Sequence, residues 1–331
     1  MNPEEMVQKI IDKEFPDKKP LDIYTAEGGF AHDTFFVDFR KNSFVIKING
    51  LSDINEEKID WDASFETEPY ILDLVRQKTD IHVPKPVARD TSKSTIPEYY
   101  HIIRKMEGNA PTTHSSQKSF KELKEKEKKQ ILQQIGQNIA KLHQVQFENF
   151  GELKIKNREI TVDKAKNWSK LFQQITSFWI DQVENGKFND LVPEIRQAVR
   201  NNLGLIENVE TPVLVHREID AKNILMKDGE LTAILDWEYC VAGHGELDLV
   251  TTEGRIIESN FSKDTNWEKY RRELYKGYES IRPLQKGWQQ RRQLYLLFPL
   301  IWEMAFHPES GTNSEEKIRE RTRKILKQLQ K

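Results

Sequence analysis

Apolar positions alternate with polar ones in the first part of the chain and recur at helical spacing in the rest, and the switch falls between residues 105 and 120. A charged, amphipathic opening segment (Met1 to Ile11) reads as a helix. Residues 34–39 (TFFVDF) and 43–48 (SFVIKI) are aromatic and β-branched runs parted by Arg40-Lys41-Asn42, the signature of a hairpin. Residues 65–77 have helical spacing, with Phe65, Leu72 and Val75 in phase. Residues 81–86 (IHVPKP) read as an extended edge, because a proline disfavours helix in the residue before it. Residues 99–104 form the last expected strand. Residues 106–111 (MEGNAP) break the pattern and mark a hinge.

From about Phe120 the period is helical. Leu123, Ile131, Ile135, Ile139 and Leu142 share one face of a long helix ending near His143. The lysine- and glutamate-rich run at 121–129 mixes signs and reads as a solvated helical face carrying i,i+4 pairs. Further helices are expected over 168–184, 192–205, 267–280 and 285–306. A packed terminal helix is expected over 317–331, with Ile318, Ile325 and Leu329 as its apolar positions. The pattern therefore predicts an α+β protein with a β-rich N-terminal lobe at 1–105 and a helical C-terminal lobe at 106–331.

Composition narrows the classes. A net charge of −2 over 331 residues gives no global electrostatic case for a nucleic-acid or membrane partner. The one cysteine, Cys240, excludes an intramolecular disulfide and a cysteine-built metal cage, and reads as a small buried side chain in a reducing compartment. The densest apolar run, 294–302, is nine residues long and contains Pro299, whereas a bilayer crossing needs about 20. A soluble, cytoplasmic monomer or homodimer is expected.

The chemistry concentrates in VHREIDAKNIL (215–225) and AILDWE (233–238). Glu218, an amide at Asn223 and a carboxylate at Asp236 closing a hydrophobic run are what phosphoryl transfer requires. One group orients the attacking hydroxyl, and two oxygen ligands hold the magnesium of a nucleotide. Two short strands around the turn at 227–230 would bring Asn223 and Asp236 together. His216 reads as a brace for the loop, and no other histidines fall at metal-ligand spacing. Gly28-Gly29-Phe30 precede the first strand of the hairpin, where glycines let backbone N–H groups approach a phosphate. Lys47, taken alone, could point to solvent by strand alternation. One hairpin after a glycine loop, it reads instead as a phosphate-binding lysine held by a helical glutamate, with Glu68 a better partner than Glu66.

These residues resemble the aminoglycoside phosphotransferase and choline kinase-like superfamily, small-molecule relatives of the protein kinases. The family pattern is His-x-Asp-x-x-x-x-Asn, then Ile-Asp-Trp-Glu, then Gly-Asp-Pro-x-x-Asp-Leu. The chain reads His216-Arg217-Glu218 through Asn223, then Leu235-Asp236-Trp237-Glu238, then Gly243-His244-Gly245-Glu246-Leu247-Asp248-Leu249. Similarity runs from about residue 20 to 305 and includes Leu142-His143 at the end of the first large C-lobe helix. The resemblance implies a bilobal protein kinase-like fold, ATP or GTP as donor, a magnesium ion (Mg2+) and a small-molecule acceptor. It implies Gly28, Gly29, Phe30, Lys47 and Glu68 around the phosphates, and adenine against backbone at Arg104, Lys105 and Met106. It implies Asn223 and Asp236 on the metal, Glu218 as catalytic carboxylate, and Asp248 supporting the catalytic loop.

One departure stands out. The family's catalytic position is Asp, and here it is Glu218. Either the loop accommodates the longer side chain, or Asp220 substitutes, or the protein is a pseudokinase that binds nucleotide without transferring phosphate. A protein kinase is disfavoured, because Asp-Trp-Glu stands in place of Asp-Phe-Gly and no Ala-Pro-Glu closes an activation segment. For the acceptor, Glu246, Asp248, Glu253 and Glu258 could receive a polycation. Trp168, Phe172, Phe178 and Trp179 read as helix core, with an acceptor wall as the alternative. Choline, homoserine, a ketosamine or another sugar alcohol stay open.

Overall fold

A computed structural model describes the chain except residues 27–31, 51–60, 113–118, 121, 210, 260–266, 307–313 and 331, and the side chains of 61–63. It resolves into two compact units. The first comprises Met1–Gly108 with Lys154–Thr161 and Thr232–Glu238; the second comprises Asn109–Leu153, Val162–Leu231 and Tyr239–Lys331.

The first unit is built on a five-stranded antiparallel sheet ordered β1-β2-β3-β5-β4. Its strands are β1 (Asp22–Thr25), β2 (His32–Asp38), β3 (Ser43–Asn49), β4 (Pro86–Asp90) and β5 (Tyr100–Arg104). The predicted hairpin is the β2–β3 pair, with Phe35 opposite Ile46 and Val37 opposite Phe44. Alternation sorts the side chains between two faces. Phe35, Val37, Phe44, Ile46, Ile48 and Ile102 pack with Ile10 and Ile11 of helix α1 (Pro3–Glu14) and with Phe15, which caps its end. That helix starts where the sequence dictates, with Asn2 and Glu5 forming a reciprocal capping box and Pro3 in the first turn. Lys47 and His101 project from the other face, directly opposite each other on β3 and β5. Helix α2 (Trp61–Lys78) buries Phe65, Glu68, Ile71, Leu72 and Val75.

One sheet edge differs from expectation. The extended segment 81–86 only leads into the edge strand, which is β4; Pro86 opens it, where a missing N–H costs no ladder bond, and a bulge follows before Ala88.

The second unit is mainly helical. Helices α3 (Glu125–Leu142), α4 (Trp168–Glu184) and α5 (Val192–Asn202) are followed by α6 (Glu246–Thr252), which runs into a π-helical turn at Glu253–Glu258. Helices α7 (Glu268–Glu279), α8 (Trp288–Ala305) and α9 (Glu315–Leu329) complete it. Helices α3 and α7 touch backbone to backbone: a Cβ on Gly136 would lie 2.1 Å from the Leu274 carbonyl oxygen, and one on Gly277 would lie 2.1 Å from that of Gln133. Leu123 precedes α3, whose start is set at Lys124, where the backbone N–H donates to the Glu127 carboxylate. Within the lysine-rich run, Lys129 pairs with Glu125 at 2.8 Å across one turn.

Trp168 and Phe172 are fully buried, Trp168 donates to the Tyr295 hydroxyl at 2.8 Å, and Trp179 is buried too, so these aromatics are core. Ile318, Thr322, Ile325 and Leu326 bury one face of α9, and Leu329 is half-buried. Among the described residues no helix is long and apolar enough to cross a membrane.

A four-stranded sheet ordered β7-β6-β11-β8 joins β6 (Gly151–Lys156), β7 (Glu159–Lys164), β8 (Val213–Val215) and β11 (Val241–Gly243). The β6–β7 hairpin has no counterpart in the sequence reading. Its turn uses Asn157 and Arg158 at φ 53° and 63°, left-handed positions without the glycine that normally signals them. The predicted short hairpin is present as β9 (Ile224–Lys227) and β10 (Glu230–Ile234), turned at Asp228-Gly229 with φ 53° and 82°.

Candidate active site

Register places the candidate groups of the first unit. Lys47 sits opposite His101, and both reach the carboxylate of Glu68 from α2. Lys47 Nζ donates to Glu68 Oε2 at 2.7 Å and to Asp236 Oδ1 at 3.0 Å, and only 12% of its side chain is exposed. The expected pairing of Lys47 with Glu68 is present, and Lys47 does not point to solvent, because α2 covers the face on which it stands. His101 Nε2 lies 3.0 Å from the same Glu68 oxygen, while Glu68 Oε1 accepts the backbone N–H of Trp237 at 3.1 Å.

Burial opposes ionisation of Glu68, but the charge of Lys47 and the contact with His101 outweigh it and hold its pKa well below the usual carboxylate range. Burial likewise works against the charge on Lys47, and Asp236, Glu68 and Glu238 overcome it and raise its pKa. Burial keeps His101 neutral by lowering its pKa against the pull of Glu68.

Asp236 adopts φ 64°, a conformation that costs a non-glycine residue free energy and is concentrated at functional loops. Its side chain is 33% exposed, and Oδ1 alone is engaged by Lys47. The next-but-one residue, Glu238, meets His32 Nε2 at 2.5 Å, a buried contact that ties this loop to β2. At the expected adenine positions, the backbone N–H groups of Arg104 and Lys105 donate to Lys85 and Ser43. Gly28, Gly29 and Phe30 lie outside the described residues.

In the second unit β8 delivers the chain to His216-Arg217-Glu218, and Asp248 supports that loop. Asp248, fully buried, accepts the backbone N–H of His216 at 2.7 Å and of Arg217 at 2.6 Å. His143 Nε2 lies 3.3 Å from the same carboxylate, with Tyr278 OH 3.0 Å from the other ring nitrogen. Burial lowers the His143 pKa, so the neutral ring presents Nε2–H to Asp248 and accepts from Tyr278. His216 Nδ1 accepts the N–H of Glu218 at 3.2 Å, so this contact braces the loop through a backbone N–H and not through the carbonyls expected of such a histidine. Asn223 Nδ2 donates to the Glu218 carbonyl at 3.0 Å, so its amide oxygen is turned away from that bond. Asp220 caps its own turn, with Oδ1 accepting from Lys222 N at 2.7 Å and Asn223 N at 3.1 Å.

A residue absent from the sequence reading joins this loop. Arg255, on the π-helical turn after α6, brings Nη2 within 3.7 Å of Glu218 and Nη1 within 3.6 Å of Asp220. Its guanidinium lies over the Trp302 ring at 4.6 Å. A π-turn leaves no mark in a helical pattern, and the arginine is far from its partners along the chain; no local signal could have found it.

Each member of the candidate acidic patch is already engaged, in line with a polycation site being the less favoured reading. Glu246 takes Arg291 in a bidentate pair at 2.7 Å, Glu253 pairs with Arg292, and Glu258 meets Arg321 at 2.6 Å. Asp248 is spent on backbone.

Asp236 in the first unit and Asn223 in the second each carry a hard oxygen of the kind magnesium prefers, and among the described residues no cluster of three or more His, Cys, Asp or Glu could form an all-protein cage. Magnesium is commonly held by one or two such groups together with phosphates and water.

The chain is similar in sequence and in fold to several proteins. A probable ketoamine kinase of Vibrio vulnificus (strain CMCP6) is 24% identical over 289 residues, 83% of each chain. A protein provisionally named fructosamine-3-kinase from Thermobifida fusca has a similar structure, with a TM-score of 0.68 at 15% identity over 97% of this chain and 99% of that one. A thermostable mutant of aminoglycoside phosphotransferase APH(4)-Ia, in ternary complex with ADP and hygromycin B, superposes with a TM-score of 0.66 at 15% identity over 97% and 98%. The model of the Phosphotransferase enzyme family matches residues 22–294. With that match across most of its length, and with the mixed α+β kinase-like fold of these neighbours, the chain belongs to the Phosphotransferase enzyme family.

Proposed function

We propose that this phosphotransferase moves the γ-phosphate of ATP or GTP to a hydroxyl of a small ketoamine-type acceptor. The observation that carries the reading is the buried Lys47–Glu68 pair with Asp236 on the same ammonium. Phosphoryl transfer relies on positioning and electrostatics, and this network supplies a fixed positive charge for the donor's phosphates. Residues 1–105 would serve the nucleotide and residues 106–331 the acceptor. Gly28, Gly29 and Phe30 would cover the phosphates. Met106 would read adenine, since the N–H groups of Arg104 and Lys105 are engaged in the sheet.

Asp236 and Asn223 would hold magnesium, which when bound neutralises charge on the transferring phosphates. Glu218 would accept a hydrogen bond from the acceptor hydroxyl and orient it. Asp220, committed to its own turn and to Arg255, is the weaker candidate for that role. The relatives named as ketoamine kinases support the acceptor class, and nothing in them favours a pseudokinase. The arginine pairing of Glu246, Glu253 and Glu258 argues against a polycation, which would need those carboxylates free. The lone, buried Cys240 suits the reducing cytoplasm.

The test is transfer of labelled γ-phosphate from ATP and from GTP into pools of ketoamines, aminoglycosides, amino alcohols and sugars, with Asp236→Asn as the blank. Label in the ketoamine pool that vanishes in the variant is expected. Label confined to another pool would refute the acceptor, and undiminished transfer by Asp236→Asn would refute the metal assignment.

A further inference from the structure

The π-helical turn that follows α6 is fixed at both ends. Glu253 pairs with Arg292 and accepts from the Tyr275 hydroxyl at 2.9 Å, and Glu258 meets Arg321 at 2.6 Å. Between them a Cβ on Gly254 would lie 3.1 Å from Pro299 Cγ, so the turn lies close against α8. A π-turn closes its hydrogen bond one residue later than an α-turn, which re-aims the side chains it carries, and such turns concentrate at functional sites. The cation carried on this turn is Arg255.

Arg255 is 8% exposed, and two carboxylates of one loop meet its charge. Nη2 lies 3.7 Å from Glu218 Oε1, and Nη1 lies 3.6 Å from Asp220 Oδ2. The Trp302 ring packs on the guanidinium at 4.6 Å. A buried guanidinium without those carboxylates would be an uncompensated charge, so the three groups are held together by electrostatics.

The contacts are also incomplete. Both exceed hydrogen-bond length, and Nε and Nη2 of Arg255 are buried without a hydrogen-bond partner. A closure of about 1 Å would convert the Nη2 contact into a hydrogen bond to Glu218. Catalytic hydrogen bonds often stand long in a free enzyme and tighten when substrate binds.

The two arms act on different residues. Asp220 Oδ1 already accepts two backbone N–H groups of its own turn, and Arg255 takes the other oxygen. Around Glu218, the bonds from its N–H to His216 and from Asn223 to its carbonyl fix the main chain only. Arg255 is what reaches its carboxylate from outside the loop.

We propose that Arg255 is a positioning residue: its forked guanidinium spans Glu218 and Asp220, sets the longer carboxylate where it meets the acceptor hydroxyl, and holds Asp220 in its turn. The clamp stands on geometry; its part in transfer rests on the kinase reading above. Lysine offers a single point of charge and could not serve both arms.

The experiment is a double-mutant cycle on the full chain with Arg255→Gln, Glu218→Gln and both together, read by urea unfolding and by steady-state phosphate transfer. In unfolding, the effect of Arg255→Gln on the equilibrium constant should shrink by about fivefold once Glu218 is Gln. Coupling under about twofold would overturn the clamp. In transfer, Arg255→Gln should lower kcat by about 10- to 100-fold with nucleotide KM hardly changed. In the Glu218→Gln background the same substitution should cost less than about threefold, because the group it positions is already gone. An equal loss in both backgrounds would overturn positioning through Glu218, since general damage to the fold multiplies and does not saturate. Arg255→Lys should fall between the parent and Arg255→Gln; a parent-like rate would overturn the two-armed fork. Arg255→Lys also completes the unfolding cycle should Arg255→Gln fail to fold. A parent protein that labels no acceptor would sink the kinase reading and the catalytic role with it, and the urea cycle would still decide the clamp.

Discussion

Replacing Glu218 by Asp restores the family's usual residue, and the structure predicts that it impairs this protein. Arg255 Nη2 lies 3.7 Å from Glu218 Oε1, with side-chain exposures of 8% and 13%. Removing one methylene withdraws the carboxylate by about 1.5 Å. At an effective dielectric of about 20, the attraction falls from about 4.5 to about 3.2 kcal/mol, a difference worth about tenfold. The freed carboxylate also leaves the position the loop was built around, and a misplacement of this size costs on the order of 100-fold in rate. Glu218→Asp should therefore lower kcat by between about 10- and 100-fold. KM for the nucleotide should hardly change, because Lys47, Glu68 and Asp236 form a separate network. The assay is steady-state transfer to whichever acceptor the pooled experiment identifies. A Glu218→Asp protein as fast as or faster than the parent would refute the idea that Arg255 and the longer carboxylate are matched.

Two further outcomes follow from buried charge. Glu68→Gln keeps the shape and the bond from Trp237 but leaves Lys47 with Asp236 as its only close ion-pair partner among the described residues, and should cost about 3 kcal/mol in urea unfolding; a loss below about 0.5 kcal/mol would mean that the pair is not formed in solution. His244 is buried, burial with nearby Arg291 pushes its pKa down to about 3, and His101 and His143 are lowered as well. A lowered folded pKa favours the neutral ring in the native state, so this contribution is intact above about pH 6.5 and declines as pH falls below it, by up to about 1.4 kcal/mol per pH unit for His244. Urea midpoints measured from pH 7.5 to 5 should fall, and His244→Gln should flatten the slope; a parent protein insensitive over that range would contradict the burial.

The β2–β3 hairpin was legible because two alternating runs flank a short polar turn, and the long C-terminal helices because their apolar stripes exceed two turns. The Glu218, Asn223 and Asp236 motif was legible as a pattern because its members lie within nineteen positions of one another. The β6–β7 hairpin was not, since its turn places Asn157 and Arg158 in left-handed conformations without a glycine. Lys47 shows the limit most clearly. Alternation says which face of β3 it occupies, and nothing local says whether that face meets water or α2.

What the sequence determined by itself is therefore what short range can encode: strand and helix periods, the Asn2 capping box, and the residue types offered at each loop. Pairings depend on groups far apart in the chain, and the tertiary structure alone decided them. It turned the acidic run at 246–258 from a candidate polycation site into partners for Arg291, Arg292 and Arg321. It brought Arg255 to Glu218. A charge or a lone pair is visible in the sequence; whether it is satisfied depends on which distant side chain packing delivers to it.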